Sequence, residues 1–354
     1  MTAAPNLPAP DSPAAHLPAA APVTAAPVGP APATGTHALG VPVLEATGLT
    51  VVHRTRSGPL HAVSGVDLTL RQRHTLALVG ESGSGKSSIA QALLRLPAPT
   101  AGTVRLDGTD LATLTPRALR AVRPRLQMVF QDPLSSLNPH RRVRDLVAEP
   151  LDAHPRPDQD RQAAVIRHLE AVGLPAAVFA DRRPSQLSGG QAQRVALARA
   201  LAAEPRVLIA DEAVSALDVS AQATVLNLLR ELTEERGLAG LFISHDLGVV
   251  RADSDEVAVL QLGRICEQGP TEEVLAGPAH PYTAALLAAV PEPGRPLGDS
   301  GLLPADPPSP LDPPSGCRFR TRCPLADGHC TAETPQLREV APGRTVACHH
   351  PLLT

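Results

Sequence analysis

The chain has 354 residues, enough for one large or two modest domains with an ample core. Its 32 basic and 35 acidic residues leave a net charge of −3, so no global basic field points to nucleic acid. With no Trp, one Tyr and four Phe, the core must be built from Ala, Val, Leu and Ile, and no apolar run of about 18 residues is present to span a bilayer, so a membrane role needs a partner.

Residues 1–42 are rich in Ala and Pro, with Asp11 the only charged residue. They lack the basic start and unbroken apolar stretch of a secretory signal. So Pro-dense a segment cannot propagate a helix and has little to bury, and it reads as a disordered leader, with a docking tail as the alternative. A strand is expected over Val43–Val52, then a loop at Arg54–Pro59 and a strand at Val66–Leu70. Leu76–Val79 is a short apolar strand leading into a Gly-rich loop, and Ser87–Leu96 reads as a helix. Val104–Leu106 and Leu126–Phe130 are further strands, while Arg161–Val172 and Gln191–Ala202 have helical spacing. Val207–Ala210 is a buried strand, Val219–Glu235 a helix and Leu241–Ile243 another buried strand. Strands alternating with helices imply a parallel sheet covered on both faces. Pro291–Pro314 is a Pro/Gly linker, followed by a short tail that carries cysteines.

Three motifs carry chemistry. The first is Gly80-Glu81-Ser82-Gly83-Ser84-Gly85-Lys86-Ser87, with Ser88 following, and it holds the single lysine of the chain. In a strand–loop–helix context its glycines let backbone N–H groups converge on phosphate oxygens, and the helix adds its positive end. Lys86 would neutralise the β- and γ-phosphates, and the Ser87 hydroxyl would ligate Mg²⁺. A guanidinium is too bulky there, which explains a lysine in a chain whose other basic residues are all Arg. The second motif is Val207-Leu208-Ile209-Ala210-Asp211-Glu212. Asp211 would hold Mg²⁺, mostly through water, and Glu212 would polarise the attacking water. The third is Leu187-Ser188-Gly189-Gly190-Gln191, a second helix start able to take an anion, with Ser188 as its cap.

Together these residues resemble the ATP-binding cassette (ABC) ATPases, over roughly Val43–Val290. The resemblance implies a phosphate-loop α/β core of RecA type with an antiparallel β subdomain and a helical subdomain at about 132–200. The remainder, 291–354, would form a small Cys-containing C-terminal extension. It implies head-to-tail pairing of two cassettes, homo- or heterodimeric, with ATP between the phosphate loop of one and Ser188–Gln191 of the other. It assigns Gln131 as the residue that senses the γ-phosphate and Mg²⁺, Ser215-Ala216-Leu217-Asp218 as the loop coupling the two sites, and His245 as the γ-phosphate switch. His53 is the nearest candidate for stacking on adenine, where the family usually has an aromatic residue; it could equally be an exposed loop histidine. Ala213-Val214 stand where Pro-Thr is common, and Ala192 where Arg is common.

Further stretches are similar to the di- and oligopeptide importer branch, as its second ATPase subunit: Leu106–Leu111, Gln127–Pro139, His280–Thr283, and the tail residues Gly316–Phe319 with Arg322–Pro324. That branch implies a subunit peripheral to the cytoplasmic face of the inner membrane, two transmembrane permease subunits, a sister ATPase and, indirectly, an extracytoplasmic solute-binding protein. Nickel and other small-solute importers share it, and a non-transport cassette protein is the reading from another class. Cys317, Cys323, Cys330 and Cys348, separated by five, six and seventeen residues, lack the paired C-x-x-C pattern of zinc sites. Four thiolates can hold a [4Fe–4S] cluster, as the family tail resembles; reduced thiols, or zinc with His329, His349 or His350, are the alternatives. Cys266 reads as a small core residue.

Overall fold

The computed structural model describes residues 40–155, 160–214, 217–289 and 308–352. Most of the leader, most of the linker, and Ser215-Ala216 of the coupling loop lie outside the described residues.

The first element is a long hairpin. β1 (Pro42–Thr55) and β2 (Gly58–Arg71) pair antiparallel from Pro42 opposite Arg71 to Thr55 opposite Gly58. The loop expected at Arg54–Pro59 is therefore a tight turn, which the Thr55 hydroxyl closes by donating to the Gly58 carbonyl at 2.8 Å. β4 (Ala101–Leu106) and β5 (Thr109–Asp110) extend this sheet in the order β2-β1-β4-β5. Its inward face (Leu44, Ala46, Leu49, Val63, Val66, Leu68, Leu70, Val104) is buried against α1 (Lys86–Leu93).

The second sheet has eight strands in the order β11-β12-β10-β9-β3-β8-β7-β6. β3 (His74–Val79), β6 (Leu126–Val129), β7 (Val207–Asp211), β8 (Ala239–Ile243) and β9 (Glu256–Gln261) run parallel. These strands are nearly continuous in Val, Leu, Ile and Ala because both faces are covered. Parallel pairing delivers all their C-terminal ends to one rim, the place where open α/β sheets bind ligands.

A set of helices buries a core of its own beside this sheet. α2 (Pro116–Val122) lies outside it, its Val122 packing on the first core, while α3 (Pro133–Ser136), α4 (Val143–Ala153), α5 (Arg161–Ala171) and α6 (Ala176–Phe179) lead to α7 (Gly189–Ala202). Leu146, Val147, Leu169 and Val195 are fully enclosed there. α4 escapes the sequence reading because Pro150 lies inside it. The proline removes one hydrogen bond, and burial of Leu146, Val147 and Leu151 outweighs that loss. α8 (Val219–Arg236) is capped by Asp218 and ends at left-handed Gly237.

α9 (Leu247–Asp253), α10 (Thr271–Ala276) and α11 (Pro281–Ala288) surround β9 and the antiparallel β10 (Arg264–Pro270). The residues after the linker add α12 (Gly328–Ala332), β11 (Arg338–Ala341) and β12 (Arg344–Val346). β12 pairs with β10, placing Val346 opposite Glu267. Arg344 and Glu267, both buried, form an ion pair at 2.6 Å. Glu267 also accepts from the amides of Ala279 and His280, so its charge is fully solvated by protein donors. Among the described residues, no helix is long and apolar enough to cross a membrane.

Candidate functional site

A cavity of about 510 Å³ opens at the C-terminal rim of the parallel strands, walled by Gly80, Ser82, Gly83 and Gly85 of the loop (not Glu81 or Ser84), the start of α1, and Gln131, Asp211, Glu212 and His245. Glycine is required twice in the loop on steric grounds. At Gly80, φ is +151° and a Cβ would lie 2.1 Å from the Leu260 carbonyl oxygen; at Gly85, φ is +108° and a Cβ would lie 2.3 Å from that of Ala62. Gly83 also has positive φ, and Ser82 and Ser88 line the cavity.

Lys86 is 8% exposed, and its Nζ donates to the carbonyls of Gly80 and Glu81 at 2.7 and 2.9 Å. Burial lowers its pKa, while Glu212, Asp211 and Glu81 act to raise it. The three carboxylates thus favour a charged ammonium at the centre of the loop. Asp211 is 4% exposed. Burial raises its pKa, opposed by a hydrogen bond from Ser87 and by Lys86. Ser87 and Asp211 both line the cavity, a hydroxyl and a carboxylate whose hard oxygen donors suit Mg²⁺.

Glu212 sits one residue past β7 with φ +50°, a conformation that is strained for a residue with a Cβ. Its amide donates to the Ile243 carbonyl at 3.0 Å. Gln131 Nε2 donates to its Oε2 at 2.8 Å, and His245 Nδ1 lies 3.3 Å from its Oε1. Three residues from the ends of three strands therefore meet on one carboxylate. His53 also lines the cavity, its Nε2 3.3 Å from Ser88 Oγ.

Not every candidate comes to this cavity. Ser188 caps α7, its hydroxyl accepting from the Gln191 amide at 3.3 Å while Gln191 Oε1 accepts from the Ser188 amide at 3.0 Å. Neither these two nor Gly189 and Gly190 line the cavity. Asp218 is likewise absent from its wall, and its Oδ1 accepts from the Ala221 amide at 2.9 Å. Sequence reasoning missed His61, which lines the cavity, and the partners of Glu81, namely Tyr282 and Arg322. The last two lie 201 and 241 residues away, beyond any local pattern.

The tail cysteines are free thiols. Burial raises the pKa of Cys317, of Cys323 and of Cys348, the last to about 11; Cys317, Cys323 and Cys330 all add to the effect at Cys348. Cys330 also groups with Asp327 and His350, their ligand atoms within 4.8 Å of one another.

Residues 63–215 match the ABC transporter family, and the chain belongs to it: an ATP-binding, ATP-hydrolysing subunit of the kind that works as a dimer with a membrane permease. Within the family it falls in the oligopeptide/dipeptide branch, whose C-terminal region matches residues 266–330. The "Oligopeptide transport ATP-binding protein AppF" of Bacillus subtilis is 46% identical over 297 residues, 82% of this chain and 90% of that one. A Sinorhizobium fredii protein named "Probable peptide ABC transporter ATP-binding protein" is 49% identical over 299 residues, 84% of each chain. The cassette MJ0796, solved as a dimer in a post-hydrolysis state bound to ADP and Pi, superposes with a TM-score of 0.61 at 29% identity, over 64% of this chain and 98% of that one.

Proposed function

We propose that this protein drives a peptide importer from the cytoplasmic face of the inner membrane, where it pairs with a sister cassette beneath two permease subunits that a solute-binding protein supplies. The observation that carries the reading is the division of the site. Lys86, Ser87, Asp211, Gln131, Glu212 and His245 share one cavity, while Ser188–Gln191 project elsewhere, as half-sites completed by a second cassette require. The peptide assignment rests on the C-terminal region and on relatives that are named as peptide transport ATP-binding proteins.

In this reading the loop amides and Lys86 hold the β- and γ-phosphates, and His53 flanks the base. Ser87, Asp211 and Gln131 would hold Mg²⁺, which would supply positive charge against the phosphates. Glu212 takes the proton of the attacking water, oriented by Gln131, and His245 contacts the γ-phosphate. Ser188, Gly189, Gly190 and Gln191 close the partner's site, and Asp218 lies at the seam through the loop it ends. α3, directly after Gln131, is the docking point for the permease. Its Leu134 is 46% exposed, an apolar side chain that a membrane subunit would cover.

We further propose that Cys317, Cys323, Cys330 and Cys348, four free cysteines carried on one tail, would hold a [4Fe–4S] cluster. The cluster would supply a covalent cross-link to that tail. Metal analysis and an absorption spectrum of anaerobically purified protein test this, and zinc bound at Asp327–Cys330–His350 would refute it.

Membrane reconstitution tests the main proposal. The protein should co-purify with two permeases and a sister ATPase, and its ATP turnover should rise when peptide and binding protein are added. Stimulation by nickel in place of peptide, or co-purification with ribosomes, would overturn it.

A further inference from the structure

We propose that the C-terminal tail positions the phosphate loop directly, through a strut made of Arg322, Glu81 and Tyr282. The inference rests on reading Gly80–Ser87 as the nucleotide loop.

Glu81 is the second residue of that loop, yet its side chain does not line the cavity. It turns away toward the tail. There Arg322 Nη1 and Nη2 donate to its two carboxylate oxygens, each at 2.7 Å. The Arg322 side chain is 4% exposed and that of Glu81 23%, so the pair lies largely out of water. A bidentate pair of this kind fixes orientation as well as distance. The backbone of the same residue is held too. Its amide donates to the Tyr282 hydroxyl at 2.9 Å, and its carbonyl accepts from Lys86 Nζ at 2.9 Å. Tyr282 is fully buried in α11, and Phe319 of the tail packs on it at 5.4 Å between ring centres and beneath the Arg322 guanidinium at 5.8 Å. One loop residue is thus gripped at its side chain by the tail and at its amide by α11, while its carbonyl holds the lysine that neutralises phosphate.

A loop already in its binding shape binds without an ordering penalty, whereas a loop that visits other shapes binds more weakly by the fraction of time it is competent. Removing the strut therefore weakens ATP binding and leaves the bound geometry, and hence turnover at saturation, little changed. By reciprocity, ATP must in turn steady the tail. The tail offers its own control. Arg344–Glu267 is a second buried ion pair that fastens it to β10 without touching the loop.

The test compares full-length variants by titration with a fluorescent ATP analogue and by steady-state turnover. Arg322→Met should raise the Kd and KM for nucleotide about tenfold, the loss of charge-assisted bonds, with kcat within about twofold. Arg322→Lys should recover part of the affinity, since an ammonium replaces one of two parallel bonds. Glu81→Gln should weaken binding, and Arg322→Met added to it should bring no further loss. Arg344→Met should lower the melting temperature and leave the Kd unchanged. Should Arg322→Met not fold, Glu81→Gln still decides. In the wild type, ATP should slow amide hydrogen exchange over residues 317–325, and in Glu81→Gln that protection should vanish. Equal Kd changes in Arg322→Met and Arg344→Met, or protection that survives Glu81→Gln, would overturn the strut. A wild-type protein that binds no ATP would instead overturn the reading of the loop.

Discussion

Replacing Glu212 by Gln removes the proposed base and almost nothing else. The amide is isosteric, its oxygen can still accept from Gln131 Nε2, and its nitrogen can still face His245 Nδ1. Both contacts survive, and the strain at φ +50° is the same for either residue. The stability change should therefore stay within about 1 kcal/mol, the worth of a single hydrogen bond. General-base catalysis contributes about 10²- to 10⁴-fold, so kcat should fall by that factor, about 3–5 kcal/mol of barrier. Nucleotide affinity should be unchanged or tighter, and ATP should hold the protein as a dimer that survives gel filtration. Steady-state phosphate release and the nucleotide content of the dimer fraction measure the two effects. A kcat within threefold of wild type would show that the water is activated elsewhere.

Lys86→Arg keeps the charge but swaps an ammonium that fits between two carbonyls for a wider guanidinium. Turnover should drop about 100-fold, the scale set by losing one donor to a developing negative charge. Gly85→Ala places a Cβ against the Ala62 carbonyl at a left-handed φ, which should cost about 3 kcal/mol or more and abolish nucleotide binding in the same titration. His168 in α5 has its pKa lowered to about 4 from 6.5, chiefly by burial and then by Arg167. The unfolded chain takes up that proton below pH 6.5 and the folded chain does not, so stability is lost as pH falls from 6.5 toward 4, by about 3 kcal/mol at most. His168→Leu should flatten that part of the profile in urea melts at pH 7.5 and 5, and an unchanged slope would refute the assignment. Arg344→Met strands the buried Glu267 carboxylate, worth about 3–5 kcal/mol, and should lower the melting temperature by several degrees.

The phosphate loop and the acidic strand end are legible because each is local: an apolar run of four or five residues, then polar groups fixed by the next turn. His245, two residues after Ile243, has no such local signal, and it is the resemblance to the family that singles it out. The clustering of Gln131, Glu212 and His245 on one carboxylate is implied once the strands are known to be parallel neighbours. Other features have no local signal. Val257–Leu260 is as apolar as any strand in the chain, but so short a run cannot be told from a buried helix segment by periodicity. Arg338–Ala341 and Arg344–Val346 are too short and polar to read as strands; Arg344–Val346 becomes one on the edge of β10, and Arg338–Ala341 then pairs with it. The strut depends on a pairing across 241 residues, which only the folded chain brings together.

That offered edge bears on how the protein can be cut. A chain stopped at the linker would still contain the whole nucleotide cavity except Pro310, and would look like a minimal ATPase. It would also lay bare the hydrogen-bonding rim of β10 and leave Glu267 without its arginine. An unsatisfied strand rim is a template for another molecule's strand. Such truncations should pass into inclusion bodies or filaments, and a tail supplied as a separate polypeptide should keep them in solution by taking the vacant place in the sheet.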